Sequence, residues 1–221
     1  MDKPWCSSDL ALFQFLAVTY RDMLPEPPLP AIYTFGQAPQ NTQQAIVEAT
    51  AAWCAVEVTK VLFCGGEDCR DSFGRVLYSP KKYEELLLEE GIPSIQLYGI
   101  LREDPSHTHT EARQLALHCK KMKYRDVYVT GSVPHQMRAF AESIWATVNY
   151  YPELRVWSRP PHCGDNWHER IILSQSQEDP KPRIETLADE LEKMKKYYQK
   201  GDLLSVEEML AYLEWRDKSV N

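Results

Sequence analysis

Hydrophobic and polar positions along the chain divide it into short apolar runs and longer amphipathic stretches. Leu10, Phe13, Leu16 and Ala17 recur at helical spacing and predict a helix over residues 8–23. The segment Pro25-Glu26-Pro27-Pro28-Leu29-Pro30 follows. Proline fixes its own φ and lacks an N–H, so an extended connector is expected there. Beyond it, strand and helix patterns alternate. Apolar runs at 31–35, 60–64, 94–100, 126–130 and 153–157 read as strands. Stripes such as Ala45, Ile46, Ala49, Trp53 and Val56 place helices at 41–59, 79–90, 108–122 and 134–148. Ser79, Pro80, Gly91 and Pro93 punctuate the second of these four helices, and Thr108 with Glu111 matches a capping box for the third.

Short, nearly continuous apolar strands between amphipathic helices predict an α/β fold. The expected architecture is a Rossmann-like parallel sheet of about five strands with helices on both faces. An N-terminal helix and two C-terminal helices are added, the latter near residues 184–200 and 206–215. Ser205 and Glu208 make a capping box for the last helix. The chain divides into a helical arm with connector (1–30), the α/β domain (31–158) and a C-terminal extension (159–221) packing on the same domain. Residues 160–183 are rich in Pro, Ser and Asp and read as a surface connection.

Composition changes this picture little: 221 residues, 43% hydrophobic and 26% charged, are enough for one buried core. The net charge of −7 argues against broad binding of a nucleic-acid backbone. The six cysteines (6, 54, 64, 69, 119 and 163) are too scattered for a disulfide framework, and no secretory signal accompanies them. The early apolar stretch at 10–18 is too short for a membrane span. Reduced thiols and a cytoplasmic location are expected.

Ligands of doubly wound sheets sit beyond the carboxyl ends of the strands. That rule directs attention to four loops, after Phe35, after Cys64, after Ile100 and after Thr130. After the second strand, Gly65 and Gly66 let backbone amides approach an anion or make a tight exit. After the third, Ser106, His107 and Thr108 precede a helix, where free N–H groups favour anions. After the fourth, Thr130, Gly131 and Ser132 lead to His135 and Arg138 one helical turn apart. Arg offers a fork of donors to phosphate or carboxylate, and His titrates near neutrality. Cys64 with Cys69, and His162 with Cys163 and His168, lack the spacing of a zinc site, so no metal is expected.

The order of these loops resembles the YdcF/SanA/ElyC-like family, also called domain of unknown function 218. The matching segments are Phe35-Gly36, Cys64-Gly65-Gly66, Gly91-Ile92-Pro93, His107-Thr108-His109-Thr110-Glu111-Ala112, Val129-Thr130-Gly131 and Pro134-His135-Gln136-Met137-Arg138-Ala139, across about residues 31–158. The chain departs from the family where Thr110-Glu111 replaces Glu-Asn, where Cys64 replaces Ser, and where Gln136 lengthens the His-Met pair. The resemblance implies the fold more firmly than a reaction. The family's frequent N-terminal membrane anchor is not expected here.

Three functions compete. The leading expectation is a protein binding a phosphate- or nucleotide-containing small molecule. In it, Gly36, Gly65 and Gly66 let backbone approach, and Ser106, His107, Thr108, Thr130, Gly131 and Ser132 contact the ligand. Arg138 neutralises its charge, and His135, with His107, serves as acid or base. S-adenosylmethionine and a nucleotide are the cofactor candidates. The second expectation is a non-catalytic interaction or assembly protein on this scaffold. The third is a thiol enzyme with Cys64 as nucleophile and His135 as base.

Overall fold

A computed structural model describes residues 4–23, 25–36, 39–70, 76–101, 107–162, 167–171 and 180–220. Five parallel strands form the central sheet: β1 (Ile32–Thr34), β2 (Val61–Gly65), β3 (Leu97–Leu101), β4 (Asp126–Thr130) and β5 (Arg155–Ser158). Their order is β3-β2-β1-β4-β5, with Tyr33 level with both Leu62 and Val129. Seven helices are described: α1 (Asp9–Tyr20), α2 (Pro39–Cys54), α3 (Pro80–Glu89), α4 (Thr108–Met122), α5 (Val133–Tyr150), α6 (Arg183–Lys200) and α7 (Val206–Lys218). The α/β sheet expected from the pattern is therefore present.

The strand sequences explain their places. β1, β2 and β4 are buried on both faces because each reads as an almost unbroken apolar run. Tyr33, Phe35, Leu62 and Val129 pack toward Phe15, Leu115, Phe140 and Met209. Ile32, Phe63, Tyr128 and Trp157 pack toward Ile46, Tyr83 and Leu87 on the other side. β3 is the exposed edge, where Tyr98 and Leu101 face solvent. Helix α1 is bound into this core: Phe15 is fully buried and stacks on Phe140 at 6.0 Å. Helices α6 and α7 pack on α5, and α7 also packs on α1.

Local details shift by a few residues. Ser8 caps α1, accepting from the Ala11 amide, and the helix ends at Tyr20 rather than 23. Helix α2 stops at Cys54, and Val56 takes φ 58°, which ends the helical path before the expected 59. Residues 94–96 form a 3₁₀ turn, so the third strand starts at Leu97. The capping boxes also divide. Ser205 and Glu208 form theirs, but α4 is capped by His107 and Thr110, not by Thr108 and Glu111. Two ribbons escaped the pattern, Cys69–Arg70 with Val76–Tyr78 and Arg170–Ile171 with Lys181–Pro182, because two- and three-residue strands show no period. Among the described residues, no helix is long and apolar enough to cross a membrane.

Candidate active site at the strand-order switch

The chain leaves β1 for β2 on one side and returns after β3 to β4 on the other. Connections therefore diverge beyond the carboxyl ends of β1 and β4, where doubly wound sheets open a crevice. Phe35-Gly36 and Thr130-Gly131-Ser132 lie at this point, joined by the Phe35 amide donating to the Thr130 carbonyl at 2.9 Å.

Helix α4 brings two polar side chains here. Glu111, nearly buried, accepts from the Gly36 amide at 2.9 Å and from the Tyr33 hydroxyl at 3.1 Å. A Cβ on Gly36 would stand 3.1 Å from that carboxylate, so the position suits glycine. Freed from the cap that the sequence assigned to it, Glu111 links α4 to the end of β1 across 75 residues. One turn earlier, the Thr108 hydroxyl lies 2.9 Å from His135 Nε2 and accepts from Arg138 at 2.6 Å. The Thr108 hydroxyl can accept from Arg138 and still either donate to or accept from Nε2, so the tautomer of the neutral His135 ring sets the direction of that bond.

His135 is buried beneath the edge of Phe35. Burial, reinforced by the Arg138 charge, pushes its pKa down to about 3. The ring is therefore neutral at neutral pH, a hydrogen-bonding group rather than a proton store. Arg138 is held from α6: its Nε donates to Glu190 at 2.6 Å, and Glu190 also takes Lys193 at 2.6 Å. Glu142 stands farther off, 3.5 Å from Arg138 and 3.9 Å from His109. Burial opposes ionisation of Glu190, but Arg138 and Lys193 outweigh it and bring the carboxyl down to about 2. For Glu142 burial prevails over the more distant Arg138 and lifts the carboxyl to about 8. Burial would weaken the Arg138 cation, yet Glu190 and Glu142 together raise its pKa.

The turn after β4 is braced by Gln136. Its Oε1 accepts from the Gly131 amide at 2.8 Å, and its Nε2 donates to the Val129 carbonyl and to Ser158 Oγ, both at 2.9 Å. The two hydroxyls of the same turn stay outside this bracing. Thr130 Oγ1 and Ser132 Oγ belong to residues with 0% exposure, and neither has a hydrogen-bond partner. Ser132 is the N-cap of α5 but makes no side-chain cap, and Pro134 follows within the first turn.

The remaining expected residues fall nearby with local explanations. A Cβ on Gly65 would meet the Gly99 backbone at 2.9 Å, so close approach of β2 to β3 requires glycine there. Gly66 has φ 105° and makes the sharp exit of β2. His107 accepts from the Thr110 amide as the cap of α4, and burial lowers its pKa. Cys64 is buried at the end of β2, its carbonyl accepting from the Tyr78 hydroxyl at 2.6 Å. Ser106 and Cys163 lie outside the described residues. Among the described residues, no three His, Cys, Asp or Glu side chains converge as metal ligands.

The structure thus brings together Gly36, Thr108, Thr130, Gly131, Ser132, His135 and Arg138 around the ends of β1 and β4. Sequence reasoning missed Glu111 as a tertiary group, together with Gln136, Glu142 and Glu190. The one available signal was Gln136, the residue that lengthens the expected His-Met pair. Comparison of the chain with protein-family models, curated proteins and solved structures finds no match in any of the three.

Proposed function

We propose that the chain is a cytoplasmic, YdcF-like α/β protein that binds a phosphate- or nucleotide-containing small molecule at the crevice beyond β1 and β4. One observation carries the reading: two fully buried hydroxyls, Thr130 Oγ1 and Ser132 Oγ, stand without partners at the switch in strand order. Buried polar atoms in folded proteins are nearly always paired, and an orphan costs about 1–3 kcal/mol. A cost borne twice in one turn, at the place where such sheets hold ligands, fits hydroxyls kept for a bound anion. The adjoining start of α5 adds a helix dipole of the right sign.

In this reading the turn after β4 shifts on binding so that the Thr130 and Ser132 hydroxyls, fully buried in the free chain, meet the ligand. Thr108, His135 and Arg138 hold the wall of the crevice, since Arg138 already has Glu190 and His135 is neutral. Glu111 sets the position of the loop after β1 through Gly36. Thermal unfolding in increasing inorganic phosphate tests the reading. Ligand that binds only the folded chain raises the melting temperature with concentration. The wild type should show this rise, and Thr130→Val and Ser132→Ala should each lose most of it. A phosphate response that survives both substitutions would show that the anion sits elsewhere.

A further inference from the structure

Helix α1 carries apolar side chains on both of its sides. Ala11 and Phe15 are buried on the side that packs on the core. Leu10 and Phe13, each 67% exposed, stand one turn apart on the opposite side, and exposed Gln14 and Ala17 continue the same stripe. Charge is confined to its ends, with Asp9 in the first turn and Arg21 just past the last, both exposed. Helices α3 and α6 instead turn charge outward, through Lys81, Lys82 and Glu84 on the one and Glu185, Glu192 and Lys196 on the other. Single apolar residues scattered over a surface are ordinary, but a contiguous stripe marks an interaction site.

The stripe is complementary to itself. Helical positions are evenly spaced along the axis, so a two-fold axis at the level of residue 15 sets two α1 helices antiparallel in one register. Asp9 of each copy then comes level with Arg21 of the other, and Phe13 with Ala17. Each carboxylate meets a guanidinium, and each large ring lies over a small methyl. The opposite ends of the two helix dipoles also meet. A parallel pair would set Asp9 on Asp9 and Arg21 on Arg21. A bilayer suits this stripe less well: Arg21 is the one Lys or Arg between residues 9 and 21, whereas helices lying on anionic membranes carry a basic flank.

We infer that α1 is a homodimer interface, which pairs antiparallel with α1 of a second copy through Leu10, Phe13 and Ala17 and through Asp9 with Arg21 at both ends. One helix from each partner makes a small interface, so the dissociation constant is on the order of 10–100 µM. Sedimentation velocity on the full chain tests this over a range from about 1 µM to about 1 mM, which spans that constant. The wild type should pass from monomer to dimer. Phe13→Glu, which puts a charge in the middle of the stripe at an exposed position, should stay monomeric. Asp9→Arg and Arg21→Asp each set like charges together at both ends, so each chain alone should dimerise about tenfold more weakly or worse. Mixed in equal amounts, these two variants regain opposite charges at both ends and should associate about as tightly as the wild type, which misfolded chains cannot do. A wild type still monomeric at the top of that range overturns the inference. So does a dimer unaffected by Phe13→Glu, or a mixture that associates no more tightly than its parts. A monomer that floats with phosphatidylserine and phosphatidylcholine vesicles overturns it as well, and gives the stripe to a membrane.

Discussion

Two arginines stand where the C-terminal helices meet the core, Arg216 fully buried and Arg138 slightly exposed, and their surroundings differ. Arg216 of α7 donates twice to Asp22, at 2.7 and 2.8 Å, and to the Val156 carbonyl at 2.8 Å, and it lies 4.0 Å over the Trp157 ring. Its further partner, Asp217, is partly exposed, so surplus negative charge reaches water. Arg138 of α5 also faces two carboxylates, but both Glu190 and Glu142 are buried. Only Glu190 comes within hydrogen-bonding distance, and Glu142 is left to hold its proton. The two orphan hydroxyls, Thr130 and Ser132, lie in the turn that leads into α5, the helix carrying Arg138. A region whose polar groups are fully paired serves architecture. A region that leaves buried groups in surplus bears a cost, and such costs gather at functional edges.

The contrast can be broken most forcefully at Arg216. Arg216→Met strands the Asp22 carboxylate in the core, and removing one partner of a buried pair typically costs about 3–5 kcal/mol. Urea unfolding should show a loss of that size. A loss below about 1 kcal/mol would mean that the pair is no lock, since that is the worth of an exposed bridge.

At Arg138 the expected effect is smaller and depends on pH. Burial raises the Glu142 carboxyl from 4.5 to about 8, so the folded protein favours its protonated form. The stability this confers is complete below pH 4.5 and is lost as pH rises through about 8. Glu142→Gln keeps the neutral shape, so its melting temperature relative to wild type should climb between about pH 5 and pH 8. His135 acts in the opposite sense. Its value falls from 6.5 to about 3, so its contribution is present above pH 6.5 and lost on acidification. It is common to both proteins and cancels in the difference. A difference that stays flat across this range would show Glu142 ionised throughout.

The smallest effect is expected at Thr130. Valine keeps the shape of threonine and the branching a strand prefers while removing an unpaired hydroxyl. Without phosphate, Thr130→Val should therefore gain about 1 kcal/mol in chemical unfolding. A loss instead would reveal a partner for that hydroxyl within the fold and would remove the observation on which the crevice reading depends.

Much of the scaffold was legible along the chain. α4 and β4 fall at their expected limits, and Ser79 with Pro80 opens α3 as its punctuation implied. The start of α4 was misread because His107, Thr108, Thr110 and Glu111 offer two overlapping caps one residue apart. Local spacing favoured the second frame. The first won because Glu111 has partners at Gly36 and Tyr33, more than seventy residues away. In the same way Arg138 looked like a cation ready for a ligand, until α6 delivered Glu190 from 52 residues downstream.

What the sequence determined by itself was the set of elements and their layering, since hydrophobic period, proline and glycine act within a window of a few residues. Only the tertiary structure decided which polar groups in the loops are already spent and which are left over. Pairing of a buried charge or hydroxyl depends on side chains that packing brings from distant segments, and no short window contains them. Glu190, Glu111 and the unpartnered Thr130 and Ser132 became visible only once the sheet had closed around them.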